Sequence, residues 1–326
     1  MEKLSPIVQE AFGIQSRRIK REKGRYLCDT PNGLMCIYIT YETPETIHLQ
    51  HIIKEHLAEN GFPWTDRFVP SRAGQPYIQI GRETYVMAAH PAQCRETDFE
   101  NEAEVLQAFK FLAQFHVAAR GFSQTVPPMP TSPPMQEICA RQIGELSQAG
   151  KQARRGPRMS DFDVAFIKHM PRFSEIMQDS IAQLEDTNYA KLYAQAISQK
   201  TLCHNALKEE SLLVASEATY IMNLSEATID LQLTDVAALI RRYAKRSSKS
   251  IPAHRLLEAY DAVNPLPASA QDIICPLLMF PWAFTKIITQ YYSKKRNWTP
   301  GGLISRMDAI LAERESYEKY VETTAR

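Results

Sequence analysis

The chain changes its hydrophobic rhythm near residue 99. Before that point, short β-prone runs alternate with turn signals. Residues 17–23, 25–30 and 34–41 are such runs, and Pro31-Asn32-Gly33 supplies a hairpin turn between the second and third. The run 34–41, rich in Ile, Tyr and Thr, predicts a central strand. Thr43-Pro44-Glu45 then opens a helix, with Thr43 as N-cap and Pro44 in its first turn, and Asn60-Gly61 stops it. Two further strands are predicted at 76–80 and 83–88, joined by Gly81-Arg82. The order is three strands, a helix and two strands. Pro91 and the polar stretch 93–98 form a linker.

From Phe99 the period becomes helical. Val105, Phe109, Leu112 and His116 fall at i, i+4, i+7 and i+11, on one helical face. Residues 123–135 contain five prolines and predict an exposed loop or extended connector. Helices are predicted at 136–148, 161–185, 189–199, 235–245, 252–263, 271–292 and 302–321, with a short β-pair at 211–214 and 219–222. These elements predict an α+β, two-lobed molecule with a small β-rich lobe over 1–90, a hinge at 91–98 and a large helical lobe over 99–326.

Composition narrows the function classes. In 326 residues, 44% apolar, 38 Lys+Arg nearly cancel 37 Asp+Glu, so bulk disorder is excluded and no global charge draws the chain to nucleic acid or an anionic membrane. The longest apolar run, 273–284, contains Pro276 and Pro281 and is shorter than a bilayer span, and the N-terminus has no run of signal-peptide length. The expectation is a soluble product made in the cytoplasm, without membrane insertion. Cys28, Cys36, Cys94, Cys139, Cys203 and Cys275 form no CxxC pair and read as free thiols.

One segment carries candidate chemistry. Leu202-Cys203-His204-Asn205-Ala206-Leu207-Lys208-Glu209-Glu210-Ser211-Leu212-Leu213-Val214 resembles the catalytic loop of the aminoglycoside phosphotransferase and choline kinase superfamily, which shares the protein-kinase-like fold. The resemblance implies His-Gly-Asp, then four intervening residues and Asn, then an apolar strand and a metal-binding Asp. The first Asp orients the attacking hydroxyl, and the Asn and second Asp hold magnesium at the ATP phosphates. Here His204 is kept, but Ala206, Ser211 and Asn223 occupy the base and metal positions, and Tyr38 occupies the position of the phosphate-pairing lysine. An alanine methyl cannot orient a hydroxyl, and neutral oxygens bind magnesium poorly beside a carboxylate. The first hairpin loop, Arg21-Glu22-Lys23-Gly24, has one glycine with which to cradle phosphates. Phosphoryl transfer depends on positioning and charge neutralisation, so these losses together predict a pseudokinase with no catalytic, cofactor-binding or metal residues.

A narrower resemblance covers nearly the whole chain. Phe12-Gly13-Ile14, residues 55–62, Leu112-Ala113-Gln114-Phe115-His116 and Gly121-Phe122 are similar to the CotS-type spore-coat family, as are residues 259–266, Phe280-Pro281-Trp282-Ala283-Phe284, Tyr291-Tyr292 and Asn297-Trp298. The resemblance implies a spore-coat component or assembly scaffold, made in the mother-cell cytoplasm, with other coat proteins as partners. ATP and magnesium enter only if the chain is an active kinase with relocated residues: Glu226 or Asp230 for the metal, Glu209 or Glu210 for the base. A nucleotide sensor without turnover would need adenine contacts near Met87–Ala89.

Several features have plainer readings. His204 is expected to brace its loop, and Asp235 to cap a helix or hydrogen-bond the loop. His48, His51 and His56 share a helix without a completing Cys or carboxylate, so no zinc is expected. Lys151, Arg154, Arg155 and Arg158 flank Gly156-Pro157, and Arg241, Arg242, Lys245, Arg246 and Lys249 lie on or just past a helix end. Lacking stacking aromatics, both clusters read as solvated surface or as docking points for an acidic protein rather than nucleic-acid sites. Residues 291–298 read as helix packing followed by a basic cap.

Overall fold

A computed structural model describes residues 4, 6–16, 18–22, 24–123, 128–155, 158–216, 218–248, 251–293 and 300–324. Helix α1 (Pro6–Ala11) leads into a five-stranded antiparallel sheet. Its strands are β1 (Arg18–Glu22), β2 (Arg25–Thr30), β3 (Gly33–Thr40), β4 (Ile78–Ile80) and β5 (Glu83–Ala89), in the order β1-β2-β3-β5-β4. The 34–41 run is therefore central, as its composition predicts; residues 17 and 23 of the first run lie outside the described residues. Thr30 faces Gly33 across the two-residue turn, where Gly33 takes φ +103, a value that costs a glycine nothing.

Alternation along β3 divides the sheet into two faces. Ile37 packs with Cys28 and Met87 against Leu4, Val8 and Phe12, so α1 covers the outer face. Tyr38 lies on the inner face with Val86 and Ala88, against Phe68 and Ile47. Ile47 belongs to α2 (Pro44–Glu59), whose N-terminus is capped as predicted: the Thr43 hydroxyl accepts from the Thr46 amide at 3.3 Å. Asn60 and Gly61, the latter at φ +86, end it.

The linker does more than connect. Its β6 (Arg95–Glu96) joins a small sheet with β8 (Leu212–Val214) and β9 (Thr219–Ile221), while β7 (Leu202–Cys203) pairs with β10 (Thr228–Ile229). These short strands carry the catalytic-loop segment between them. The proline-rich connector, described from 128 onward, is extended and tied down. The Ser132 amide donates to the Ile229 carbonyl at 3.0 Å, and the Thr228 hydroxyl to the Pro130 carbonyl at 3.0 Å.

The remainder is helical: α3 (Glu102–Ala118), α4 (Met135–Ala153), α5 (Asp161–Glu185), α6 (Tyr189–Ser198), α7 (Leu233–Arg246), α8 (Ala253–Asp261), α9 (Ala270–Met279), α10 (Trp282–Tyr292) and α11 (Pro300–Thr324). The α3 stripe of Val105, Phe109, Leu112 and His116 is fully buried, as its spacing predicts. Helix α5 starts at a capping box, Ser160 and Asp163 each bonding the other's backbone. The helix expected over 271–292 is instead two. Pro281 has no N–H and forces Phe280 out of the helical region (φ −62, ψ 128), so the chain breaks between α9 and α10. The 23-residue stretch Ala270–Tyr292 is, by length and hydropathy alone, apolar enough to cross a membrane, further than the 273–284 run suggests. Here that apolarity serves packing: Ile273, Ile274, Leu277, Phe284, Ile287 and Ile288 are buried in the helical core.

Candidate functional site

The catalytic-loop segment is held by one buried carboxylate. Asp235, in the first turn of α7, accepts from the amides of His204 at 2.6 Å and Asn205 at 2.8 Å, and from His116 Nε2 at 3.1 Å. The Tyr260 hydroxyl lies 2.6 Å from His116 Nδ1 and accepts from Asn264 Nδ2 at 2.8 Å. With Nε2 donating to the carboxylate, Nδ1 of a neutral His116 accepts from Tyr260. Burial alone would raise the Asp235 pKa; the hydrogen bond from His116, the nearby imidazoles and the loop amides outweigh it and hold the carboxyl below its usual range. The expectation that Asp235 hydrogen-bonds the loop is met, and α3, α7, α8 and the loop become one unit.

His204 braces the same loop. Its Nδ1 accepts from the Ala206 amide at 3.2 Å, so Nε2 carries the proton and donates to the Met222 carbonyl at 3.0 Å. Burial lowers its pKa, which keeps the ring neutral. Asn205 stands where the superfamily pattern has glycine and takes φ +62, a left-handed conformation that Asn tolerates better than most residues. Among the described residues, one group of three metal-ligand side chains draws together, His116, Cys203 and Asp235. Its lone pairs are already engaged: both His116 nitrogens are bonded, Asp235 accepts three donors, and the Cys203 thiol donates to the Asp230 carbonyl at 3.4 Å. Burial pushes that thiol's pKa well up, so the trio is architecture rather than a metal cage.

The positions that would handle phosphate and metal are different in kind. Ala206 presents a methyl group. Ser211 is 1% exposed. Its hydroxyl donates to the Ala206 carbonyl at 3.4 Å, its amide donates to the Lys208 carbonyl at 3.0 Å, and its carbonyl accepts from the Met222 amide at 2.8 Å. Ser211 therefore braces the loop from inside. Asn223 is exposed at φ +62, with its side-chain oxygen 3.4 Å from the Ser225 amide. Tyr38 packs on the Ile47/Phe68/Val86/Ala88 cluster, and burial raises its phenol pKa strongly. At these three positions a magnesium ion would find a methyl, a buried hydroxyl and a neutral amide, none of them an anionic ligand.

The positive charge in this region comes from an element that sequence reasoning did not single out. Lys54 of α2 is fully buried, 3.0 Å from Asp66 Oδ1, with its ammonium 3.6 Å from the centroid of Phe68. The same Asp66 oxygen accepts from the Asn223 amide at 3.2 Å. Burial lowers the Lys54 pKa, and Asp66 works against that shift. A sequence signal exists in hindsight: Ile47, Gln50, Lys54 and Leu57 share the buried stripe of α2, so two polar residues lie at core-facing positions. Gln50 donates to Glu42, whose carboxyl pKa is raised by its own burial.

On the adenine side, the Met87 carbonyl accepts from the Val69 amide at 2.8 Å and the Ala89 amide donates to the Arg67 carbonyl at 2.8 Å. The His90 amide donates to the Leu34 carbonyl at 3.0 Å, and Pro91 has no N–H. The Met87–Ala89 contacts that a sensor would need are thus largely used internally.

The relocated candidates divide between the cleft and the connector. Asp230 lies beside the Ser132 connector, not beside Asn223; it accepts from the Leu231 amide at 2.7 Å, and burial raises its pKa to about 6. Glu226 is exposed near the cleft and its charge reaches Glu42. Glu210 is exposed, and the Glu209 side chain lies outside the described residues. His48 contacts the Tyr77 ring while His56 reaches the Phe122 ring and the Arg120 carbonyl, so the helix histidines do not converge. In the first basic cluster, Lys151 lies on α4 and Arg154 donates back to Gly150; Gly156 and Pro157 lie outside the described residues. In the second cluster Lys245 and Arg246 are exposed, as the solvated-surface expectation has it, whereas Arg241 and Arg242 are half-buried and, with Lys245, line a cavity that reaches Ala206. Lys249 and residues 294–298 lie outside the described residues.

Comparisons with known proteins bear on the fold and the family. A family model described as "Spore coat putative kinase YutH" matches residues 5–324. The curated "Spore coat protein S" of Bacillus subtilis (strain 168) is 23% identical over 164 residues, 49% of this chain and 47% of that protein; the chain thus matches about half the length of this curated relative. Among solved structures, an aminoglycoside phosphotransferase from Alicyclobacillus acidocaldarius superposes with a TM-score of 0.81 at 18% identity, covering 100% of this chain and 96% of that one. A spectinomycin phosphotransferase in complex with ADP and spectinomycin gives 0.59 at 14% identity, covering 97% and 92%. At such identities these structures speak for the fold alone: a two-lobed, phosphotransferase-like α+β architecture. With the family model spanning nearly all of that architecture, the chain belongs to the spore coat kinase family that the model describes.

Proposed function

We propose that this family member is a pseudokinase: a component or assembly scaffold of the spore coat that keeps the phosphotransferase fold without its chemistry. The observation that carries the reading is the buried Lys54–Asp66 ion pair touching the Asn223 amide. A functioning site needs a cation facing the nucleotide and carboxylates facing a metal. Here the cation is sealed in the N-terminal lobe, its carboxylate partner is already neutralised, and Ala206, Ser211 and Asn223 supply no anionic ligand. The similarity to a spore coat protein supports location in the coat, with other coat proteins as partners.

The purified chain with ATP, magnesium and a panel of amino alcohols and aminoglycosides should give no phosphorylated product above the buffer blank. In sporulating cells, a fluorescent fusion should follow the coat, and a variant with the cleft altered at Ala206 should rescue coat defects of a deletion as well as the parent does. Phosphoryl transfer by the unaltered protein would overturn the reading.

One observation favours a second reading, nucleotide binding without turnover. Arg25 Nε and His90 Nε2, on the nucleotide side of the sheet, are buried without hydrogen-bond partners. A thermal shift with ATP in the absence of hydrolysis would select it over the pure scaffold.

A further inference from the structure

A charged concavity lies on the other side of the loop. A cavity of about 790 Å³ is enclosed by α4, α7, α10, α11 and the loop at Asn205–Lys208, and opens beside Ala206, the position whose carboxylate would orient an acceptor hydroxyl. Six cations line it: Lys208, Arg241, Arg242, Lys245, Lys286 and Arg306. Three carboxylates oppose them, and two are already engaged. Glu313 pairs with Lys245 at 2.5 Å and accepts from Tyr317, and Glu145 accepts from the Thr289 hydroxyl at 3.0 Å. The third, Glu226, is exposed. Six cations against three carboxylates leave the concavity with an excess of positive charge that a matching anion would offset.

Unpartnered polar atoms gather in the same place. Of the eight buried side-chain nitrogen and oxygen atoms without a hydrogen-bond partner among the described residues, three line this cavity: Arg241 Nε, Gln142 Oε1 and Gln290 Oε1. Arg241 donates from Nη2 to the Leu277 carbonyl at 2.8 Å, which fixes the guanidinium in place. Burial lowers its pKa to about 10, with Tyr317 and Glu313 working against that shift. Either glutamine, with its amide turned over, directs N–H groups where its oxygen now finds no donor. Buried unsatisfied groups concentrated at one site call for an occupant.

We propose that this cavity binds a small organic polyanion, a molecule bearing two or more phosphate or carboxylate groups, held by the α7 and α10–α11 cations. The volume falls within the range of small-molecule sites, and the cations come from several elements around a concave wall rather than along an open stripe. Charge selection is thus the reverse of what a site for amino sugars requires, whose protonated amines would meet the same six cations. The inference goes beyond the coat-scaffold reading and is tested without ATP, so each can fail while the other stands.

The test uses the whole chain at low salt with tripolyphosphate and citrate as probes, kanamycin as a cationic control and hexaglutamate as a peptide control, followed by calorimetry. Both anions should bind, weaken as salt rises, and lose at least tenfold in affinity in the Lys286→Ala/Arg306→Ala double variant, whose residues are exposed on α10 and α11. Lys191→Ala, on the surface of α6, should leave binding unchanged. Should the double variant not fold, Lys286→Gln alone should still lose severalfold. No binding of either anion at millimolar concentration overturns the proposal, as does binding indifferent to the α10–α11 substitutions. Kanamycin binding tighter than tripolyphosphate overturns the charge assignment, and hexaglutamate binding tighter than both anions reassigns the cavity to an acidic protein segment.

Discussion

The two walls of the cleft have been treated differently. Behind the loop, Asp235, His204, His116 and Tyr260 form a complete hydrogen-bonded brace in which nearly every donor meets an acceptor. In front of it, Ala206, Asn223 and Tyr38 offer no charge, and the nearest charged pair, Lys54–Asp66, is turned inward. The brace fixes backbone and serves any protein with this fold, whereas the frontal residues matter only if a nucleotide and metal must be handled. Under the pseudokinase proposal, the first set is kept and the second is dispensable.

The sharpest way to break this comparison is to remove the brace. Asp235→Ala leaves two loop amides and a histidine N–H buried without an acceptor, and we expect a loss of about 3–5 kcal/mol in urea unfolding. Asp235→Asn, which keeps one oxygen but turns an NH₂ towards the same donors, should lose about half as much. Values under 1 kcal/mol for both would mean that the loop is held some other way.

The inward ion pair comes next. Asp66→Asn strands the Lys54 ammonium in the core and should destabilise by about 3 kcal/mol. Combining it with Lys54→Met removes the stranded charge and should return stability to within about 1 kcal/mol of the parent, a double-mutant coupling that a surface pair would not show. Additive losses would indicate that Lys54 and Asp66 do not act as a pair.

How much of this was readable in the sequence follows from what fixes each feature. Strands β2, β3 and β5 and helix α5 were legible to within a residue or so, because two-residue alternation, the Pro31–Gly33 turn and helical periodicity are local signals. The loop at His204–Asn223 and its link to Asp235 were legible because a family pattern supplied the register. Helix α1 was missed because six residues carry almost no periodicity; it exists because Val8 has a sheet face to cover. The break at Phe280 was hidden by apolar content that reads as one helix, although Pro281 was in view. Lys54–Asp66 could not be read from spacing, since its partners belong to a helix and to the loop after it, and meet only when the sheet places Phe68 beneath them.

A smaller effect tests the placement of the relocated carboxylates. The folded pKa of Asp230, about 6, lies above its ordinary value near 4. Stability from its neutral carboxyl is therefore fully present below pH 4 and is lost as pH rises through 6, where a buried charge must be carried. Asp230→Asn should match the parent at pH 4 and exceed it by on the order of 2 kcal/mol at pH 7.5. A metal ligand would behave otherwise: the substitution would bring no gain at pH 7.5, and magnesium would stabilise the parent alone.

The smallest expected effect is the most telling for the front wall. Ala206→Asp combined with Asn223→Asp restores two carboxylates at positions where the side chains face outward or are only partly covered. Stability should change by less than about 1 kcal/mol, because neither position bears core packing. Activity with ATP and magnesium should remain at the blank. Two carboxylates can gather a metal, but the cation that would meet the phosphates is still a tyrosine at position 38, while the lysine of α2 stays sealed behind Phe68. Positioning and charge must act together for phosphoryl transfer, so restoring part of the set should yield a better metal site and no chemistry. If the double variant transferred phosphate, Lys54 or Arg25 would have to be reaching the nucleotide, and the inward-facing pair would be a resting state rather than the end of the catalytic line.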